Sequence, residues 1–134
     1  MSEKIQNHIR ERGNRYFTIE EPIDLAGATR KAFDMKSDVI VIDCITMWIS
    51  NLLIEKSETV IQDYVGEFIS VLKEKNNENN TIVITVTNEC GSGIIPANEL
   101  SRKYVKYLGR TNKTLAAFYE EVYLTCCGLE MRLK

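Results

Sequence analysis

Histidine occurs once in this 134-residue sequence, at His8, and Arg10, Arg12 and Arg15 follow it closely. A neutral imidazole is a competent nucleophile toward phosphorus and can carry a phosphoryl or nucleotidyl group covalently. Guanidinium groups match the geometry of phosphate oxygens. The same residues also suit a solvated helix face on which the arginines pair with Glu3 and Glu11. Asp43 closes the apolar run Val39-Ile40-Val41-Ile42. A carboxylate at that point can help hold a magnesium ion beside a nucleotide, or it can cap the next helix. Asn88 and Glu89 end a second apolar run and precede Gly91 and Gly93. Two glycines allow a close backbone approach to a ligand or a positive φ, although an ordinary strand-to-helix loop has the same composition. Arg110 and Asn112 follow Gly109. An arginine at a helix break can reach a phosphate across a subunit boundary, or it can cap the carbonyls of the preceding helix.

The elements that must position these groups follow from periodicity. Residues 2–12 read as an amphipathic helix capped by Ser2, with Ile5 and Ile9 on one face. Residues 16–18 form a short extended piece. Pro22 opens a second helix with a stripe of Leu25, Ala28, Ala32 and Phe33. The β-branched run at 39–42 predicts a strand buried on both faces, as in a parallel sheet, and residues 82–86 predict another. Residues 45–54 are expected to bury Met47, Trp48 and Leu52. A helix is expected over 59–75, then a polar linker over 76–80. Asn98 caps a helix carrying Leu100, Tyr104 and Leu108, which Gly109 is expected to interrupt. Residues 122–126 and 129–133 around Gly128 predict a terminal hairpin. Strand, helix, strand, helix and hairpin make one α/β domain over residues 1–134, with a mainly parallel sheet. Ligands of such sheets gather beyond the C-terminal strand ends, which here carry Asp43 and the loop 87–93. Pattern alone thus favours a small-molecule or nucleotide site and names no reaction.

Composition removes several other classes. A net charge of -2 gives no electrostatic footprint for nucleic acid. No apolar run approaches a membrane span, and the amino terminus lacks the basic and apolar regions of a signal peptide, so a cytoplasmic protein is expected. Cys44, Cys90, Cys126 and Cys127 include no Cys-x-x-Cys pair, and no zinc spacing involves His8. Buried free thiols are the expectation, with Cys44 and Cys126 acting as small hydrophobes.

Taken together, the segments resemble a known family. Val86-Thr87-Asn88-Glu89-Cys90-Gly91-Ser92-Gly93-Ile94-Ile95-Pro96 is similar to the pattern V-T/S-N-E-V-G-x-G-I-V-P of the bifunctional adenosylcobinamide kinase/adenosylcobinamide-phosphate guanylyltransferases of cobalamin biosynthesis. Gly109-Arg110-Thr111-Asn112-Lys113-Thr114-Leu115-Ala116 resembles that family's G-R-x-N-Q-x-L-A. Asp43-Cys44-Ile45-Thr46, with Asn51-Leu52-Leu53, resembles its D/E-C-L/I-T-x-x-x-x-N-L-L. Lys4-Ile5-Gln6-Asn7-His8 and Thr18-Ile19-Glu20-Glu21-Pro22 resemble its R-I-x-x-H and T-x-E-x-P. The blocks occur in the family's order across nearly the whole chain.

The resemblance implies a RecA-like, P-loop-type fold, with helices on both faces of a mainly parallel sheet and a C-terminal antiparallel hairpin, assembled as a homo-oligomer. It implies that His8 becomes guanylylated by GTP and passes GMP to adenosylcobinamide phosphate. It also implies that adenosylcobinamide is phosphorylated with ATP or GTP, with Mg2+ accompanying the nucleotide. Ile9, Arg10, Glu11, Arg12, Glu20 and Asp43 fall at the family's nucleotide-contacting positions. Ile9 stands where relatives often carry a charge, so its contact would come from the backbone. Cys90 replaces the family's valine. The family's opening strand and G-G-x-R-S-G-K-S loop have no counterpart in these residues, which suggests a late start or a truncated copy. The expectation is therefore a kinase and nucleotidyltransferase by family, with little activity from these residues alone. The alternative is a non-catalytic remnant or interaction module of the same family.

Overall fold

The computed structural model describes residues 16–76 and 80–134. The helix expected over 2–12, with His8, Ile9, Arg10, Glu11 and Arg12, lies outside the described residues. The described elements are α1 (Leu25–Asp34), β1 (Val39–Asp43), α2 (Ile45–Glu55), a 3-10 turn (Glu58–Val60), α3 (Ile61–Asn76), β2 (Ile82–Val86), α4 (Glu99–Phe118), β3 (Tyr123–Cys126) and β4 (Leu129–Arg132).

Residues 16–18 form no strand; the chain runs irregularly as far as α1. That helix starts later than Pro22 predicted, because two carboxylates set its entry. Glu21 accepts from the Ile23 and Asp24 amides at 2.9 Å each, and Asp24 then caps the helix by accepting from Gly27 N at 2.8 Å. The backbone bonds hold the exposed Glu21 carboxyl below its ordinary pKa. The buried positions are Ala26, Thr29 and Phe33, with Leu25 and Ala32 packed beside them. A left-handed Lys36, at φ 55, follows the C-terminal end of α1.

β1 and β2 pair in parallel, Val39 opposite Ile82 through Asp43 opposite Val86. Directly opposed residues share a face. Ile40, Ile42 and Val83 therefore look into the core. On the other face, Val39 (49%), Val41 (55%), Ile82 (61%) and Ile84 (48%) stay exposed. This corrects the expected burial on both sides and, among the described residues, the expected helices on both faces. A continuous β-branched run records apolar character on both faces, but each face is buried only where an element covers it.

In α2, Ile45, Trp48, Ile49 and Leu52 are buried at helical spacing, whereas Met47 points outward at 59% exposure, contrary to expectation. Trp48 meets Phe68 of α3 edge to face at 5.8 Å. Its indole N–H donates to Ile23 O at 2.8 Å, tying the chain ahead of α1 to α2. In α3, Ile61, Val65, Phe68, Ile69 and Leu72 fill the centre of the core.

Asn98 caps α4 as predicted, accepting from Ser101 N at 2.7 Å. Gly109 does not break this helix. Its cost relative to alanine is about 1 kcal/mol, and burial of Tyr107, Leu108, Thr111 and Leu115 on both sides of it outweighs that. Leu100 is exposed, so the buried stripe begins a turn later than expected. The β3–β4 hairpin forms as predicted. Lys134 folds back from it, and its ammonium donates to Ala116 O (3.1 Å), Ala117 O (3.2 Å) and Tyr119 O (2.7 Å), closing the carbonyl end of α4.

Thr111 Oγ1 is fully buried and has no hydrogen-bond partner among the described residues. An unpaired buried hydroxyl is costly. Thr111→Val keeps the branched shape and removes the hydroxyl, so it is expected to stabilise the fold by about 1 kcal/mol. The urea midpoint should rise with no change in slope; a lowered midpoint would contradict this account.

Candidate functional site

The parallel register puts the C-terminal ends of β1 and β2 side by side, with Asp43 opposite Val86. Asp43 is exposed at that edge. Among the described residues its carboxylate takes part in no hydrogen bond or ion pair. The chain beyond β2 is fixed by three side chains. Asn88 N donates to Thr46 Oγ1 at 3.0 Å, joining the β2 loop to the first turn of α2. Thr87 Oγ1 donates to Asn112 Oδ1 at 2.8 Å, and Asn112 Nδ2 donates to Asn88 O at 2.9 Å. One amide of α4 thus clamps two consecutive loop residues. Tyr104, also on α4, places its hydroxyl 3.5 Å from Thr46 O. Burial, with the nearby Cys90 and Cys44 sulfurs, raises the Tyr104 pKa, so it remains a neutral donor.

Glu20 sits in the segment ahead of α1 and is exposed. That segment is tied to α2 through the Trp48 bond and through Asn51 Nδ2, which donates to Pro22 O at 3.3 Å. No hydrogen bond among the described residues links Glu20 to Asp43.

The glycine loop differs from expectation. Neither Gly91 nor Gly93 has a positive φ. Glu89 turns back on its own loop, where its carboxylate accepts from Gly91 N, and a Cβ at Gly91 would meet that carboxylate at 2.6 Å. Ile94 and Ile95 project into solvent. They edge a shallow depression of about 290 Å³ that Arg102 and Lys106 also line. The Arg102 guanidinium donates to Pro96 O at 3.1 Å and to Ala97 O, which holds the loop against α4.

Arg110 lies exposed within unbroken helix, so it caps no carbonyls at a break. Cys44 and Cys90 are half-buried, while Cys126 and Cys127 are exposed; all are free, but the expected burial of Cys126 and Cys127 is corrected. The roles of Thr46 and Thr87 were not read from the sequence. Their signal was present, because each lies inside a motif block beside a residue that was singled out.

Asn112→Ala removes the clamp on residues 87 and 88. Both partners can be rewetted, so the expected cost is about 1 kcal/mol. Amide exchange over residues 86–90 should accelerate while the helices remain protected. Unchanged exchange there would show that the loop does not depend on the clamp.

This is an α/β domain whose parallel strand ends and linking loops form a polar, ligand-type edge. Comparison with known proteins gives that edge a lineage. A family model described as cobinamide kinase / cobinamide phosphate guanyltransferase matches residues 1–133. The bifunctional adenosylcobalamin biosynthesis protein CobP of Pseudomonas aeruginosa is 32% identical over 134 residues, covering 100% of this chain and 75% of that protein. The corresponding CobU proteins of Salmonella typhimurium and Escherichia coli are 33% and 27% identical, covering 72% and 100% of this chain and 59% and 78% of theirs. The chain belongs to the cobinamide kinase / cobinamide phosphate guanyltransferase family.

Family membership gives the hydrogen bonds a second meaning. Thr46, Thr87–Asn88 and Asn112 come from three motif blocks that are distant in sequence, and they meet at one strand edge. Asn51 and Pro22 join two blocks in the same way. Among the described residues no cluster of three or more His, Cys, Asp or Glu could hold a metal, and no helix is long and apolar enough to cross a membrane.

Proposed function

We propose that this chain serves the two reactions of its family: phosphorylation of adenosylcobinamide by ATP or GTP, and transfer of GMP from GTP to adenosylcobinamide phosphate. The observation that carries this reading is the Thr46–Asn88–Asn112–Thr87 network, which holds three motif blocks together beside Asp43, whose carboxylate has no partner among the described residues.

In the guanylyl transfer, an imidazole nitrogen of His8 bonds to the α-phosphorus of GTP. The bond from that phosphorus to the bridging oxygen breaks, and pyrophosphate leaves. GMP is then held on His8 through a P–N bond. A phosphate oxygen of adenosylcobinamide phosphate attacks the same phosphorus, the P–N bond breaks, and adenosylcobinamide-GDP forms as His8 is regenerated. Arg10 and Arg12 offer guanidinium groups to the phosphates. Ile9 contributes through its backbone, and Glu11 and Glu20 complete the nucleotide contacts.

Mg2+ is bound in nucleotide sites by one or two carboxylates together with phosphates and water. An exposed strand-end carboxylate with no partner among the described residues, as at Asp43, fits that requirement. Bound there, the ion would neutralise charge on the phosphates. A homo-oligomer in the cytoplasm completes the reading.

The test supplies the family's strand and G-G-x-R-S-G-K-S loop ahead of Met1 and assays adenosylcobinamide with GTP and magnesium. Adenosylcobinamide phosphate and then adenosylcobinamide-GDP are expected. A folded protein that makes neither would favour the non-catalytic alternative.

A further inference from the structure

We propose that the depression beside Ile94 and Ile95, together with a basic row on α4, docks the acceptor of the guanylyl transfer set out above, a reaction on which this assignment depends. The acceptor is a broad organic macrocycle bearing one phosphate, adenosylcobinamide phosphate. Arg102, Lys106, Arg110 and Lys113 recur at i, i+4, i+8 and i+11 along α4 and are all exposed. That spacing places them in one row on one helix face. None of the four has a carboxylate partner among the described residues. Lys103, one position out of the row, is instead shared between Glu58 at 3.5 Å and Glu99 at 3.0 Å. Arg102 donates to the neutral carbonyls of Pro96 and Ala97, and the Lys106 ammonium lies 5.2 Å from the Tyr107 ring centroid. Neither contact cancels the charge. Like charges at this spacing repel, and a bound anion relieves that repulsion.

The second observation is apolar. Ile94 is 97% exposed and Ile95 81%, and both line the depression with Pro96, Val105, Arg102 and Lys106. Apolar side chains grouped at the surface and rimmed by charge mark a binding surface. The loop that carries them is held at both ends. Arg102 ties its far end to α4, and at its near end Asn88 is bonded to Thr46 and Asn112. The depression is therefore continuous with the strand edge that carries Asp43. Gly109 leaves the middle of the basic row without a side chain, and a Cβ there would meet nothing within 4 Å. A ligand can lie close against the helix at that point. A shallow, open surface suits one edge of a broad macrocycle resting on the isoleucines, with its phosphate toward Lys106 and Arg110.

The reaction itself favours the acceptor over the nucleotide as occupant. GMP transfer brings the acceptor phosphate against a second phosphate, anion toward anion. Cations already in place on the acceptor's side lower that repulsion, whereas magnesium at Asp43 serves the nucleotide's side.

The experiment measures binding of adenosylcobinamide phosphate and of adenosylcobinamide to the intact 134-residue chain by equilibrium dialysis, read from corrin absorbance. The phosphate form should bind about tenfold more tightly, as expected for one phosphate facing two exposed cations. That advantage should shrink between about 0.1 M and 1 M salt. Lys106→Glu/Arg110→Glu should abolish the advantage and leave binding of the phosphate-free form largely unchanged. Ile94→Ser/Ile95→Ser should weaken both forms by about tenfold. Lys31→Glu/Lys73→Glu, the same change of charge on α1 and α3, should bind as the parent does. Every substituted residue is exposed, and circular dichroism confirms the fold. Absence of corrinoid binding or of phosphate preference in the parent, or parent-like corrinoid binding in either site variant, would overturn the assignment. So would Lys106→Glu/Arg110→Glu losing GTP in place of the corrinoid phosphate, or the isoleucine variant changing only the oligomeric state. In each of those cases, product formation by the loop-joined protein would leave the family reactions standing and remove this site alone. A folded joined protein that makes no product would remove the reactions themselves.

Discussion

A His8→Ala chain preceded by the family's glycine-rich loop should form no GMP adduct with GTP and magnesium, whereas its His8 parent should form one. Covalent transfer concentrates the first bond-making step in one nitrogen. Removing a nucleophile of this kind costs far more than removing a positioning group, and guanylyl transfer should fall by at least about 10⁴-fold. Phosphorylation of adenosylcobinamide needs no protein nucleophile, because the substrate hydroxyl attacks the terminal phosphorus directly. The variant should therefore retain kinase turnover within a few-fold. That split separates loss of the nucleophile from loss of the fold, which would lower both activities together. Intact-protein mass spectrometry reads the adduct, and peptide mapping locates it. An adduct that persists in the variant would move the nucleophile to another residue.

The strand-end acid, the capping Asn98 and the hairpin were legible because each depends on neighbours in sequence, and the parallel pairing was legible from the strand–helix–strand order. A β-branched run, an Asn before a periodic helix or a turn beside Gly128 states its own conformation. What was not legible depends on long-range partners. Val39 and Val41 carry the same apolar chemistry as Ile40 and Ile42, and nothing within the run reveals which pair faces covering helices. Gly109 looked like a break because glycine weakens helices locally, yet the packing of Leu108 and Leu115 spans it. Thr46 and Asn112 are separated by most of the described chain, and only the fold joins them through Asn88. Motif resemblance narrowed that gap by marking the right blocks before any geometry could say why Asn112 belongs with Thr87.

Joining the family's opening strand and loop to residues 1–134 should raise both activities by at least about 100-fold over the 134 residues alone. The reason lies in where triphosphate binding must come from. These residues contain no G-x-x-x-x-G-K-[ST] run, the arrangement whose backbone N–H groups and lysine cradle phosphates. The described strand edge offers a carboxylate at Asp43 and neutral hydroxyls and amides at Thr46, Thr87, Asn88 and Asn112, and those neutral groups largely satisfy one another. Such an edge can hold a cation beside a nucleotide but gives little direct grip on several negative charges. Preorganised donors aimed at developing charge are worth about 10²–10³ each in acyl transfer, so a loop that supplies several together sets the scale of the gain. Replacing the appended loop's lysine with alanine should remove most of it. Asp43→Asn in the joined protein should lower both activities, because the proposed reading has Asp43 hold the magnesium that accompanies the nucleotide in each reaction. Equal turnover with and without the loop would mean that the phosphates are gripped elsewhere, and the role given to the strand edge would then have to be abandoned.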